Sequence, residues 1–428
     1  MARSIGNAKL KAARQAAGYS SQEALAEALK HAAPQVGIRG LHVSVRQVRR
    51  WESANPPWPQ PDHQRVLVHL LGQSMDELGF TPPWSGDSHT EHADSTPRRT
   101  AASGTAAAIG LAAPPLPTAK AASQPATVGA DFATITAAHR RLYWSVEPAQ
   151  LHSAVVEHAR LGTSLMAETA GASRVTLAAA LAESYLLAGR IEFFDQQKPD
   201  AASNSFVRAL QAAGEADDAL LGSAILAHTA FIPGWAGRKE DAEERMAAAR
   251  AYARRGPAPA ALWAWLDAVE AECETRCGDT RTALRLISHA EDVLKEGPEG
   301  RVPAWMDWFS PVRLAAFKGN TQLVAGHISQ ARETLMAVLD QLPADHGKQR
   351  TIVLGDLAAV EAAAENVEEA CRWAGEALNQ LSITWYATGM DRIRDVRKKL
   401  HQWRNEPSVR ELDDRMYGWG ATVSGLQR

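Results

Sequence analysis

A spaced pattern of small and large residues in the C-terminal two-thirds of the chain leaves few folds open. A small residue, a large apolar one four later and a small one three after that recur at Ala202/Phe206/Ala209, Ala242/Met246/Ala249 and Ala283/Ile287/Ala290. The pattern returns, less regularly, at Ala331/Leu335/Val338 and Ala370/Ala374/Ala377, with successive starts 40, 41, 48 and 39 residues apart. On a helix these three positions share one face. The small residues let a second helix approach, and the large one fills the gap. A break precedes each match: Lys198-Pro199-Asp200, Gly237-Arg238, Gly278-Asp279, Gly319-Asn320 and Glu365-Asn366. Before each break the sequence reads as another helix, such as Val175–Phe193 or Ala260–Cys277. One match in an Ala-rich chain means little, but five at near-regular spacing predict stacked helical hairpins. Residues 131–170 read as a leading hairpin, with Leu142, Tyr143 and Trp144 packed on the first repeat. Met390–Trp403 reads as a closing helix with a solvated basic face of Arg392, Arg394, Arg397, Lys398 and Lys399. The Tyr417-Gly418-Trp419-Gly420 segment reads as a C-terminal loop.

The N-terminal residues have a different character. Ser20 or Ser21 caps a helix carrying Leu25 and Leu29 on one face, after a first helix from Ile5 to Ala17 that ends at Gly18. Ser44 caps a third, in which Val48 and Trp51 share a buried face and Arg46, Gln47, Arg49 and Arg50 fall outside it. Asn55-Pro56-Pro57-Trp58-Pro59 ends that helix. A fourth helix over Asp62–Leu71 and a short fifth over Met75–Leu78 complete a unit ending near Trp84. Residues 1–65 hold ten Lys/Arg against four acids, or +6; the whole chain is −3, leaving −9 elsewhere. A basic head on an acidic body fits a nucleic-acid partner. The bland alternative is that the arginines form a solvated helix face.

The order LKAARQAAGYSSQEALAEAL, VSVRQVRRWES and LLGQSMDELGF resembles the phage-repressor/Cro-type (XRE) helix-turn-helix family over residues 5–80. That resemblance implies base contacts from Val45, Arg46 and Arg50 and a phosphate contact from Gln22. Ser44 and Arg49 are candidate phosphate contacts beside them. The tight turn usual in that family is replaced by His31–Val43, with Pro34, Gly37 and Gly40. The repeats resemble tetratricopeptide-type units, lengthened beyond the usual period of about 34 residues. Between the two parts, residues 85–130 contain no Phe, Trp or Tyr and are rich in Ala, Ser, Thr, Pro and Gly. Such a segment buries too little apolar surface to offset its ordering entropy and reads as a disordered linker, with a transient helix conceivable at Ala106–Ala113. The fold class expected is all-α: residues 1–84 a five-helix DNA-binding head, 85–130 a linker, 131–428 a tetratricopeptide-like α-solenoid.

An α-solenoid has an inner wall that can hold a helix, a peptide or another protomer. Glu272, Arg276, Arg313 and Asn320 are candidates for that wall; the alternative reading, and the simpler one for each taken singly, is an ordinary surface polar residue. Trp263/Trp265 and Trp305/Trp308 read as core, with one of each pair exposed. No phosphate loop, strand-led dinucleotide motif, HExxH or Ser/His/Asp arrangement occurs, so no catalytic residue, metal or cofactor is expected. Cys273, Cys277 and Cys371 lack metal spacing and read as buried, reduced thiols of a cytoplasmic protein. No stretch reaches the roughly 20 apolar residues of a membrane span, and no signal-peptide pattern opens the chain. The resemblance implies a dimeric transcriptional regulator that binds a double-stranded operator and is controlled through its body by a peptide, protein or small molecule. Regulators of development, secondary metabolism or plasmid and phage functions have this organisation. The rival expectation is an interaction scaffold with weak, non-specific DNA binding.

Overall fold

The computed structural model describes residues 7–36, 38, 41–53, 56–57, 59, 61–75, 77–80, 116–117, 123–296, 300–343 and 345–426. Among these the protein is all-α, with eighteen α-helices and no strand. The chain divides into two compact units, Met1–Ser95 and Thr96–Arg428.

The first unit contains α1 (Ala8–Ala16), α2 (Gln22–Ala32), α3 (Val45–Trp51) and α4 (Pro61–Leu71). Local chemistry sets the ends. Ser21 Oγ accepts from Ala24 N–H at 3.0 Å, Ser44 Oγ from Gln47 N–H at 3.2 Å, and Gly18 takes the left-handed conformation (φ +86°) after α1. One apolar core gathers Leu10, Leu25, Leu29, Val48, Trp51, Leu67, Leu78 and Phe80, each large side chain contributing about 1.5–3 kcal/mol. The long connection between α2 and α3 is packed: a 3-10 turn, Ala33–Val36, leads to Ile38 and Val43, both buried in that core. The fifth helix expected at Met75–Leu78 includes Asp76, which lies outside the described residues. On either side of it, Leu78 N–H donates to Ser74 O and Phe80 N–H to Met75 O.

The second unit stacks helical hairpins. A leading pair, α5 (Val128–Leu142) and α6 (Pro148–Leu165), is followed by α7 (Gly171–Arg190) with α8 (Pro199–Glu215) and α9 (Ala219–Trp235) with α10 (Lys239–Ala253). Next come α11 (Ala260–Cys277) with α12 (Thr280–Glu296), α13 (Pro311–Val324) with α14 (Ile328–Gln341), and α15 (Gly347–Ala363) with α16 (Val367–Ile383). Finally α17 (Ala387–Lys399) packs on α15, and α18 (Pro407–Leu426) on α16. All fifteen residues of the small/large/small pattern are buried, in the second helices α8, α10, α12, α14 and α16. The first helices form the inner layer. Helix α9 has no charged residue and is buried on nearly every side, as a helix with apolar residues all round must be.

Four expectations are corrected. The break placed at Gly319-Asn320 lies instead at Gly326 (φ +81°). Gly319 sits inside α13 because Leu335 packs against it; a Cβ there would lie 2.6 Å from Leu335 Cγ. Leu142 is 42% exposed, and only Tyr143 and Trp144 pack on α7. The segment Met390–Trp403 does not close the body, since α18 follows it, and the Tyr417–Gly420 loop belongs to that helix, with Trp419 stacked on Trp385. Most of the 85–130 linker, including Ala106–Ala113, lies outside the described residues. Its described end is bound to the body: Pro117 O accepts from Arg174, Ser123 and Gln124 N–H groups donate to Glu168 O, and α5 already begins at Val128.

The stack curves until its ends meet. A π-helical turn, Ile191–Asp195, extends α7. Phe194 O on it accepts from Thr388 Oγ1 at 2.8 Å, and Asp195 lies 2.7 Å from Lys348 Nζ. Gln197 donates to Asp391, and Trp144 stacks on His346 with ring centres 6.0 Å apart. The inner layer thereby lines a central, partly open cavity.

Candidate functional site

Two places in the molecule concentrate unneutralised charge. The first is the outer face of α3. Burial of Val48 and Trp51 turns Ser44, Val45, Arg46, Arg49 and Arg50 to solvent, with Val45 36% exposed. None of the three arginines has an acidic partner within ion-pair distance among the described residues. Gln47 is half-buried instead, its amide 3.3 Å from His63 Nε2. Glu52, the C-cap of α3, orients the whole face. One of its carboxylate oxygens accepts from Arg14 Nε at 2.7 Å and the other from Gln22 Nε2 at 2.6 Å, joining α1, α2 and α3. Arg14 and Glu52 are nearly fully buried, so removing either leaves a charge without compensation. Gln22 is therefore half-buried and held by Glu52, with its second amide hydrogen and its oxygen outside that bond. An open cleft beside the face is lined by Ser44, Arg46, Gln47, Arg50, Pro57 and Pro59.

The second place is the central cavity, two adjoining hollows of about 50 and 70 Å³. The four groove candidates converge there. Glu272, Arg313 and Asn320 line the cavity, while Arg276 pairs with Glu272 at 2.7 Å and lies over the Trp235 ring at 3.9 Å. Glu272 and Asn320 are buried, so the reading of them as surface residues fails. Burial pushes the Glu272 carboxyl up, but Arg276 and Arg392 outweigh it and hold the group below its ordinary value. Asp356, bonded by Asn320 Nδ2 at 3.2 Å and beside Arg392 at 3.3 Å, is raised because burial prevails. Arg392 thus faces inward rather than joining a solvated basic face, whereas Arg394, Arg397 and Lys398 pair with Asp391, Asp413 and Asp395.

Several lining residues had no signal in the sequence. Arg190, His228, Lys348 and Tyr386 project from α7, α9, α15 and the start of α17 into one space. Lys348 is 2% exposed; its ammonium is 2.7 Å from Asp195, at angles outside hydrogen-bond geometry, and 3.5 Å from the Tyr143 ring centre. Burial lowers the Lys348 pKa and raises that of Asp195. His228, buried and beside Arg190, is held neutral, with its pKa lowered to about 3. Trp265, Trp305 and Trp308 are all buried, and Trp265 and Trp308 form cavity wall; Trp263 is half-buried. Cys273 and Cys371 are buried and Cys277 is half-buried, none in a disulfide. Among the described residues no helix is long and apolar enough to cross a membrane. No family model and no curated protein matches this chain.

Proposed function

We propose that the protein is a sequence-specific DNA-binding transcriptional regulator of the XRE type, whose tetratricopeptide-like body mediates dimerisation, receives an effector, or both. The observation that carries this reading is the outward face of α3, where Val45 and three arginines with no acidic partner among the described residues project from a helix locked by Glu52 to α1 and α2. Arg46 and Arg50 pair with base edges, each good bidentate contact discriminating by about 1–3 kcal/mol. Ser44, Arg49 and Gln22 contact phosphate and set the register. One such head engages a short half-site, so two chains occupy a two-fold operator with half-sites about 34–36 Å apart. The body's share is signal reception, and no catalytic step is assigned to it.

Selection of fragments from a random DNA pool by the full-length protein, at about 0.15 M salt, tests this. The expected product is one palindromic site preferred over bulk DNA by about 10³ or more. Unrelated fragments whose retention disappears with added salt would replace the regulator with an interaction scaffold that holds DNA weakly and without sequence preference.

A further inference from the structure

The charges around the central cavity do not balance. Arg276 is paired with Glu272, Arg392 with Asp356 and Lys348 with Asp195. Arg190 and Arg313 face the same space, and among the described residues neither has a carboxylate within ion-pair distance. Arg190 is only 7% exposed, and its Nε–H has no acceptor. Its guanidinium carbon lies 4.7 Å from the Trp308 ring centre and 4.8 Å from that of Tyr143. Ring faces attract the charge but do not give that N–H an in-plane acceptor. The buried Trp308 indole N–H on the same wall also lacks a partner. Arg313 lies over the Phe317 ring at 5.4 Å, near enough to Arg190 for their like charges to repel. Asp356 Oδ2 and both Asp195 oxygens also lack a hydrogen bond, but each of these carboxylates has a cation within ion-pair distance. Arg190 and Arg313 are the cations left over among the described residues, and a negatively charged acceptor would complete them.

Size and wall chemistry narrow the class. The two hollows adjoin at Phe194, Phe231, Arg313, Phe317 and Tyr386. Apolar cavities of roughly 150 Å³ enclose one benzene; the hollows, about 50 and 70 Å³, are smaller and partly open, so they admit an anionic head with a single ring at the mouth and not a helical peptide. Trp265 and the phenylalanines offer flat faces for such a ring.

We propose that the central cavity binds a small organic anion, its carboxylate or phosphate held by Arg190 and Arg313 and its planar ring seated among the aromatic walls. This deepens the effector role proposed above and rests on that reading only for its regulatory meaning. The test uses full-length protein without DNA, titrated with benzoate, indole-3-acetate and phenyl phosphate up to about 5 mM, following tryptophan fluorescence and the thermal midpoint. At least one anion is expected to saturate with a dissociation constant below about 1 mM, and its uncharged analogue (methyl benzoate, indole-3-acetamide or phenol) to bind at least about tenfold more weakly. Arg190→Gln and Arg313→Gln should each weaken binding about tenfold or more, and Arg313→Lys, which keeps the charge but not the planar fork, should weaken it less than Arg313→Gln. Circular dichroism checks that the variants fold; should Arg190→Gln unfold, Arg313→Gln and the uncharged analogues still decide. Failure of all three anions to saturate, equal binding of the uncharged analogues, or unchanged binding by the folded Arg190→Gln or Arg313→Gln variant would overturn the inference. Anion binding without operator selection would leave it standing and remove only the regulator reading.

Discussion

At the scale of single residues, the head and the body use buried charge in opposite ways. Glu52 satisfies both of its oxygens within the fold, while Arg46, Arg49 and Arg50 have no acidic partner among the described residues. Replacing Arg46 or Arg50 by alanine should relax the preferred operator, and Gln22→Ala should weaken all sequences about equally; binding to randomised sites distinguishes the two. Arg49→Ala should lower the salt slope of binding by about 1. An unchanged preferred site in both base-contact variants would misplace the recognition face. In the body, His228 couples stability to pH. Its folded pKa of about 3 lies below the ordinary 6.5, so on acidification the unfolded chain binds the proton first. The contribution is complete above about pH 6.5 and is lost as pH falls toward 3, amounting to about 2 kcal/mol by pH 5. Urea midpoints at pH 7 and pH 5 should differ less in His228→Phe than in the parent chain. An equal difference would mean that His228 is already charged in the fold.

At the scale of helices, the sequence was most legible where local chemistry decides the outcome. Ser21 and Ser44 are the caps, and every position of the repeated small/large/small pattern is buried. Phe206 shows why: it packs where Gly189 lacks a Cβ, its ring atoms reaching within about 2.5 Å of where one would stand. Phe206→Ala should cost about 3–5 kcal/mol in urea unfolding. A loss below about 1 kcal/mol would show that α7 and α8 collapse around the gap. Gly319 misled for the same physical reason. Glycine marks a turn when φ must be positive, but it also marks a close helix approach, and a single chain does not reveal that Leu335 presses on it. Gly418 and Gly420 in α18 misled for another reason: each costs about 1 kcal/mol relative to alanine in a helix, yet packing of Met416 and Trp419 on the final core keeps the segment helical.

At the scale of the whole body, closure changes the expected energetics. An open stack of repeats has only nearest-neighbour contacts and unfolds from its ends. Here Lys348 meets Asp195, and Thr388 meets Phe194, across more than 150 residues. Lys348→Ala leaves Asp195 buried and unpaired, at a cost of about 3–5 kcal/mol. Calorimetry should then show the body's transition moving as a whole to lower temperature. Appearance of two separate body transitions would show that the two ends of the stack unfold independently and that closure couples them weakly.

Sequence alone determined the helical class, the caps, the buried face of each second helix and the basic outer face of α3. All of these follow from periodicity and from contacts within a few residues. It also placed Glu272, Arg276, Arg313 and Asn320 near one wall, because they project from consecutive inner helices. Only the tertiary structure decided that this wall curves into a partly open cavity and that Arg190, Lys348 and Tyr386 share it. The curvature that brings them together is the sum of small rotations at every helix–helix contact. No local pattern encodes that sum, and an error of a few degrees at each hairpin would carry Asp195 away from Lys348.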